Sequence, residues 1–212
     1  MAGPQLEKPS LDRAVSELRR DLLDESGPRI STMRNYRFAI LTYSPTEEFE
    51  LRSRIRSLSD ELRGQGWNVL SISLQQLLLD RLKAEDPRVL KSIIRMEHRL
   101  YEKDPARALT HLKDKLTRYV EGVDGIAADV IREIGEFAQE HPDQRDRTLF
   151  FLARTGALYP FFRSSALLKH IDGKTQNLPV VVLYPGKREG PQVLSFMEEL
   201  STDRDYRPRV YS

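Results

Sequence analysis

The chain has 212 residues, long enough for one sizeable core with an added helical layer. Hydrophobic content of 39% and charged content of 31% describe a polar globular protein, and 34 basic residues against 32 acidic ones leave a net charge of only +2. The absence of cysteine excludes disulfides, thiol catalysis and thiolate metal sites together.

The longest apolar runs are of strand length, so no membrane span is expected. The opening residues, Met1 to Lys8, lack the apolar core of a signal peptide, and the expectation is a cytoplasmic protein. A sequence pI of 8.8 hints at anionic partners, but acids and bases are interspersed, as on any solvated surface.

Residues 1–9 read as a flexible tail, and 10–212 as a single α/β domain. Ser10 can cap a helix whose stripe is Leu11, Ala14, Val15, Leu18 and Leu22. Tyr36 to Tyr43 is the first strand. Ser44-Pro45-Thr46-Glu47 follows it with Ser at the N-cap, Pro at N1 and Glu at N3, a capping box. The helix it opens carries acids early, bases late and a stripe of Leu51, Ile55, Leu58 and Leu62. Gly64-Gln65-Gly66 ends it, and Trp67 to Ser73 is the second strand.

A helical insertion spans about 74–140, with helices expected at 74–83, 87–103, 105–120 and 124–140. Asp86-Pro87 and Asp104-Pro105 each read as an N-cap followed by Pro at N1. Stripes run through Leu90, Ile93, Ile94 and Tyr101, and through Leu109, Leu112, Leu116 and Val120. A crossover between parallel strands needs only one helix, so the surplus helices are the best place for a partner surface.

Thr148 to Ala153 and Leu178 to Tyr184 are short, continuous apolar runs, the pattern of parallel strands covered on both faces. A turn at Arg154-Thr155-Gly156 and a helix from Tyr159 to Ile171 connect them, and a turn at Pro185-Gly186 closes the unit. Gly190-Pro191 then breaks the chain before an amphipathic segment, Val193 to Leu200, and Arg207 to Tyr211 reads as an edge strand bearing Pro208. The fold predicted is Rossmann-like, a three-layer α/β with a mostly parallel sheet of about five strands.

In such sheets ligands lie beyond the carboxyl ends of the strands. That places a candidate ligand or partner surface at Arg154, Gly156, Tyr159, Phe161, Arg163, Tyr184, Pro185 and Gly186. Arg154, Tyr159, Phe161, Phe162 and Arg163 interleave base and aromatic, which suits a clamp on phosphate or nucleic acid. Phe161 and Phe162 equally suit a core, and Arg163 a structural ion pair.

Gly173-Lys174-Thr175 imitates the end of a phosphate-binding loop. Position 168 is Leu where that loop needs Gly, and the triplet follows a helix instead of a strand. His98, His111, His141 and His170 have no partner at i+3 or i+4 in a metal motif, no nucleophile elbow exists, and no carboxylate pair stands out as acid and base. The residues point to no catalytic group, no metal and no cofactor.

Three ordered blocks carry a resemblance: Gly156 to Arg163 with Ser165 to Leu168, then Leu178 to Gly186, then Tyr206 to Tyr211. Over roughly 35–211 the sequence resembles the BrxB family, a component of BREX bacteriophage-defence systems. A looser match covers Ile40 to Leu82, where Leu41-Thr42 stands in place of the family's frequent Phe-Asp, so no role for an acid transfers there.

BrxB-like proteins are encoded beside a PglZ-type phosphatase-like protein, a DNA adenine methyltransferase and a large ATPase. The resemblance therefore implies a non-catalytic scaffold that binds a PglZ-type protein and other BREX subunits, meeting DNA only through the complex. The alternative is a nucleotide- or nucleic-acid-binding module using the crevice at the strand carboxyl ends, with Arg154 and Arg163 as anion contacts.

Overall fold

Five apolar or aromatic residues and one threonine, Phe38–Tyr43, form β1, and all six are buried. A strand without polar alternation is stable only when both its faces are covered. The computed structural model describes residues 10–25, 27–30, 37–122, 124–162, 164–171, 173–190, 193–197 and 208–212, and in it β1 lies between two parallel neighbours. β4 (Val180–Gly190) pairs with it from Phe38 opposite Val180 to Tyr43 opposite Pro185. β6 (Arg209–Tyr211) pairs on the other side, from Ala39 opposite Arg209 to Leu41 opposite Tyr211.

With β2 (Asn68–Ser73) and β3 (Thr148–Ala153), the sheet runs in the order β2-β3-β4-β1-β6. β5 (Val193–Phe196) adds to β4 antiparallel. This is the mostly parallel α/β sheet that the sequence predicts, with six strands in place of about five. The sixth is β5, part of the amphipathic segment after β4.

The described residues of 1–70, 143–151 and 177–212 form one compact unit, and those of 71–142 and 152–176 form another. In the first unit, α1 (Leu11–Leu22) starts where the Ser10 hydroxyl accepts the Arg13 amide at 3.2 Å, and it buries Leu11, Ala14, Leu18 and Leu22. Asp21 near its end is buried. Its carboxylate accepts the Tyr211 hydroxyl at 2.9 Å and the Arg209 guanidinium at 2.5 Å, which fastens the helix to β6. Burial pushes the Tyr211 hydroxyl well above its ordinary pKa, so it stays a donor. α2 (Glu48–Gly64) buries Leu51, Ile55, Leu58 and Leu62, the stripe that spacing predicts.

In the second unit, α3 (Leu74–Ala84), α4 (Pro87–Tyr101), α5 (Pro105–Val120) and α6 (Ile126–Glu140) fall within two residues of the expected bounds. Asp86 caps α4 by accepting the Arg88 amide at 2.7 Å, and Asp104 caps α5 by accepting the amides of Ala106 and Arg107 at 3.1 and 3.2 Å. The buried carboxylate of Asp129 on α6 bonds the Arg81 guanidinium of α3 and lies 3.0 Å from that of Arg132. Arg81 also donates to the Gly125 carbonyl at 2.8 Å, so one side chain ties α3 to the start of α6.

Three local expectations are corrected. The helix expected from Tyr159 to Ile171 is confined to α7 (Ser164–Ile171), behind a short 3-10 turn at Gly156–Leu158. Pro160 disfavours helical backbone at Tyr159, so no helix runs through that position as expected. Pro185-Gly186 is no turn, because β4 runs on to Gly190 and pairs Gly186 with Phe196. The apolar stripes of α4 and α5 are not all core: Ile94, Tyr101 and Leu109 are exposed, and α4 has no fully buried residue. Tyr36, Pro191 and Arg207, at the ends of expected strands and turns, lie outside the described residues.

Replacing Arg81 by Ala strands the Asp129 carboxylate in a buried position with only Arg132 beside it. A loss of about 3 kcal/mol is expected, read as a lower urea midpoint with an unchanged slope. A pH effect arises at Glu85, whose carboxylate accepts the Tyr119 hydroxyl and lies 2.6 Å from Arg118. The hydrogen bond from Tyr119 holds its pKa below the ordinary value. Its stabilisation is therefore full above the unfolded pKa of about 4.3 and is lost as pH falls through the folded value. The Tm difference between the wild type and Glu85→Gln should shrink to nothing across that interval.

Candidate functional site

β1 connects through α2 to β2 on one side of the sheet, while β4 leads through β5 to β6 on the other. The carboxyl ends of β1 and β4 therefore flank the point where the strand order reverses, the usual ligand crevice of an open α/β sheet. A cleft of about 240 Å³ lies there. Its walls are Thr42, Tyr43, Ser44 and Glu47 after β1, and Gly186, Lys187 and Arg188 on the extension of β4, with Ser10, Leu11 and Ser212 completing the lining.

The start of α2 shapes its charge. Between β1 and α2 a single 3-10 turn, Pro45–Glu47, turns the chain. The Ser44 amide donates to the Glu47 carboxylate at 3.1 Å, and the Glu47 amide donates to the Ser44 carbonyl at 2.8 Å. Glu48 accepts the Tyr43 hydroxyl and, at 3.0 Å, the Arg52 side chain. A helix start that ordinarily attracts an anion is here occupied by the protein's own carboxylates, which a phosphate would have to displace. Lys187 and Arg188 supply the opposite charge, so the cleft is mixed in sign.

Of the eight residues expected at the strand ends, Gly186 lines this cleft. Tyr184 and Pro185 are buried in β4, Tyr184 packing edge-on against Phe196 with ring centroids 5.4 Å apart. Arg154, Gly156, Tyr159 and Phe161 belong to the other compact unit and are half-buried. Arg154, just past β3, adopts a left-handed backbone with φ of 62°. Arg163 lies outside the described residues, and Phe162 is core. Gly173, with φ of 69°, ends α7 where the Lys174 amide donates to the Ile171 carbonyl at 3.0 Å, so the Gly-Lys-Thr triplet closes a helix instead of opening one.

Lys187 and Arg188 were missed because the apolar run ends at Tyr184. A hairpin extension beyond the covered part of a sheet carries no apolar pattern, and its only cue was the basic pair following Gly186. Among the described residues, no group of three or more His, Asp or Glu side chains could hold a metal ion. No helix of the described chain is long and apolar enough to cross a membrane.

The second feature is the hairpin of α4 and α5. The two pack against each other, with Val89, Leu90, Ile93 and Leu100 of α4 half-buried. Ile94 and Tyr101 remain 56% and 63% exposed, and Met96 and Leu109 are also exposed. Of the six large apolar side chains exposed among the described residues, four sit on this hairpin, so it is where the surface departs from a solvated one.

Gly186 has a packing reason that is separate from any ligand. Its φ is +154°, and an added Cβ would fall 2.0 Å from the Ser195 carbonyl oxygen of β5. Gly186→Ala should cost at least about 2 kcal/mol of stability and loosen the β4–β5 pairing, which hydrogen exchange at Lys187 and Ser195 would register.

The family described as BREX protein BrxB matches residues 70–210, about two thirds of the chain and inside the span of the resemblance drawn from the sequence. Neither a curated protein nor a solved structure matches it. The chain belongs to the BrxB family, and with it to the components of BREX defence systems.

Proposed function

We propose that this protein is a non-catalytic adaptor subunit of a BREX complex and that its α4–α5 hairpin binds a PglZ-type partner. The observation that carries this reading is the hairpin itself. A parallel crossover needs one helix, yet this chain builds a helical pair that leaves Ile94, Met96, Tyr101 and Leu109 in solvent. Ile94 and Tyr101, seven residues apart, share one flank of α4; exposed apolar side chains so grouped mark interaction surfaces, and Tyr is among the residues that anchor them. The mixed charge of the strand-end cleft and the carboxylates at the start of α2 also favour an adaptor over an enzyme acting on phosphates.

The strand-end cleft supports one other reading, a nucleotide or nucleic-acid site, on the strength of Lys187 and Arg188. Calorimetric titration with ATP, GTP and short oligonucleotides tests it, and heat abolished by Lys187→Gln with Arg188→Gln would establish it.

Size-exclusion chromatography with light scattering, on the protein alone and mixed with the PglZ-type protein of the same BREX system, tests the adaptor role. A stable co-eluting pair is expected. Ile94→Asp combined with Tyr101→Ala should weaken it at least about tenfold, equivalent to about 1.4 kcal/mol, without lowering Tm. Weakening by Arg154→Ala and Tyr159→Ala alone would move the contact to the end of β3. Separate elution at about 10 µM, a concentration at which a micromolar complex persists, would overturn the adaptor role.

A further inference from the structure

The charge of the hairpin is as unusual as its exposed apolar residues. Residues 87–120 hold nine basic side chains and four acidic ones, an excess of five positive charges in a chain whose total is +2. The rest of the protein is therefore net acidic, and the basic character of the sequence is concentrated in these two helices.

Within α4 the bases are ordered. Arg88, Lys91, Arg95 and Arg99 recur at intervals of three, four and four residues, which keeps them on one stripe of an α-helix. At 100° per residue they fall within an arc of about 80°. That arc is opposite the face of Val89, Ile93, Glu97 and Leu100, the side half-buried in the hairpin. All four cations are exposed. The row is about 16 Å long at 1.5 Å per residue.

Elsewhere most helix arginines are neutralised, Arg56 and Arg107 being exceptions among the described residues. Arg13 meets Glu17, Arg19 meets Glu61, Arg52 meets Glu48, Arg54 meets Glu50 and Asp12, and Arg63 meets Asp60. No ion pair among the described residues involves Arg88, Lys91, Arg95 or Arg99. Spacing i to i+4 would allow such pairs at little cost, so within α4 the chain leaves a single-sign row, which Glu102 just past the helix ends, where it could have built a balanced face.

We propose that the outer face of α4 is a contact surface for the phosphate backbone of duplex nucleic acid, bound without regard to sequence. A straight row of like charges complements a polymer that itself presents one negative charge about every 1.7 Å of its axis. Protein surfaces, like the remainder of this one, intersperse both signs. Three of the four cations are Arg, whose planar fork takes phosphate oxygens in pairs. The row includes no aromatic side chain for stacking on unpaired bases, which favours duplex over single strand. The apolar anchors Ile94 and Tyr101 lie off the stripe, so a protein partner and a nucleic acid need not compete for the same side chains.

The test is fluorescence anisotropy of the full chain against labelled 25-base-pair duplexes of two unrelated sequences. Equal affinity for both is expected. Four phosphate contacts give a slope of log K against log[salt] near −3.6, roughly a 150-fold loss between 50 and 200 mM salt. Each of Arg88→Gln, Lys91→Gln, Arg95→Gln and Arg99→Gln should flatten that slope by about 0.9. Arg54→Gln with Arg63→Gln, which removes paired arginines of α2, should leave it unchanged, and circular dichroism would confirm that every variant folds.

Absence of binding at about 50 µM protein in 50 mM salt would overturn the proposal, since non-specific contacts are already in range there. So would a fourfold variant that keeps its DNA affinity but no longer co-elutes with the PglZ-type protein, because the row would then serve an acidic protein face. Loss of DNA binding with co-elution intact supports it. The adaptor reading stands or falls separately, on the Ile94 and Tyr101 variants.

Discussion

The structure depends on one constraint: β1 is covered along its whole length and on both faces. Phe38 to Tyr43 are all buried, so no side of the strand can be left to water. Each edge of β1 must also find a backbone partner, and β4 and β6 supply them in parallel register. Even the polar member, Thr42, is satisfied inward, its hydroxyl donating to the Tyr211 carbonyl at 3.1 Å. β6 is only three residues long and follows Pro208, which suits an edge. Its place is secured by Asp21, reached by both Tyr211 and Arg209 from one short strand. The unpaired edge that would otherwise invite a foreign strand is thus short, charged and tied to α1.

Against that closed first unit the α4–α5 hairpin is loosely built. α4 has no fully buried residue, and it is held by α5 and by the group at its foot, where Glu85, Arg118 and Tyr119 converge. The Arg118 guanidinium also lies 4.5 Å from the centre of the Tyr119 ring. A helix with so little buried area contributes little to folding free energy, since that term scales with apolar area removed from water. Its exposed apolar side chains and basic row therefore add little to the stability of the fold.

Much of the fold was legible because its local signals agreed with its tertiary ones. Asp86-Pro87 and Asp104-Pro105 marked helix starts, and both carboxylates do cap. Thr148 to Ala153 and Leu178 to Tyr184 read as covered strands, and all of these residues but Ala153 are buried. The shortened helix before α7 had a local cause in Pro160, while the other failures turn on contacts between residues that are not neighbours in the sequence. Gly186 resembled a turn glycine, but it is needed where β5 passes too close for a Cβ. Ile94, Tyr101 and Leu109 have helical spacing, and spacing cannot say whether a neighbouring element arrives to cover them. The strand-end residues were less legible still. Tyr184 was read as surface because the strand was taken to stop there, whereas it lies in the core of a longer one.

The first helix after β1 sharpens the functional argument. In an open α/β sheet that position often receives a phosphate, because free amides and the helix dipole converge there and glycines let the ligand approach. This chain keeps the position and fills it. Glu47 takes the Ser44 amide, Glu48 and Glu50 add two more acids to the first turn, and Pro45 removes a donor. Three carboxylates at a helix start stabilise the helix, and they repel the ligand that the architecture would suit. The unpaired cationic row is on α4, a helix the crossover does not require. The proposed adaptor role and nucleic-acid contact both rest on this added helix, whereas the crevice of the sheet is lined by the protein's own carboxylates.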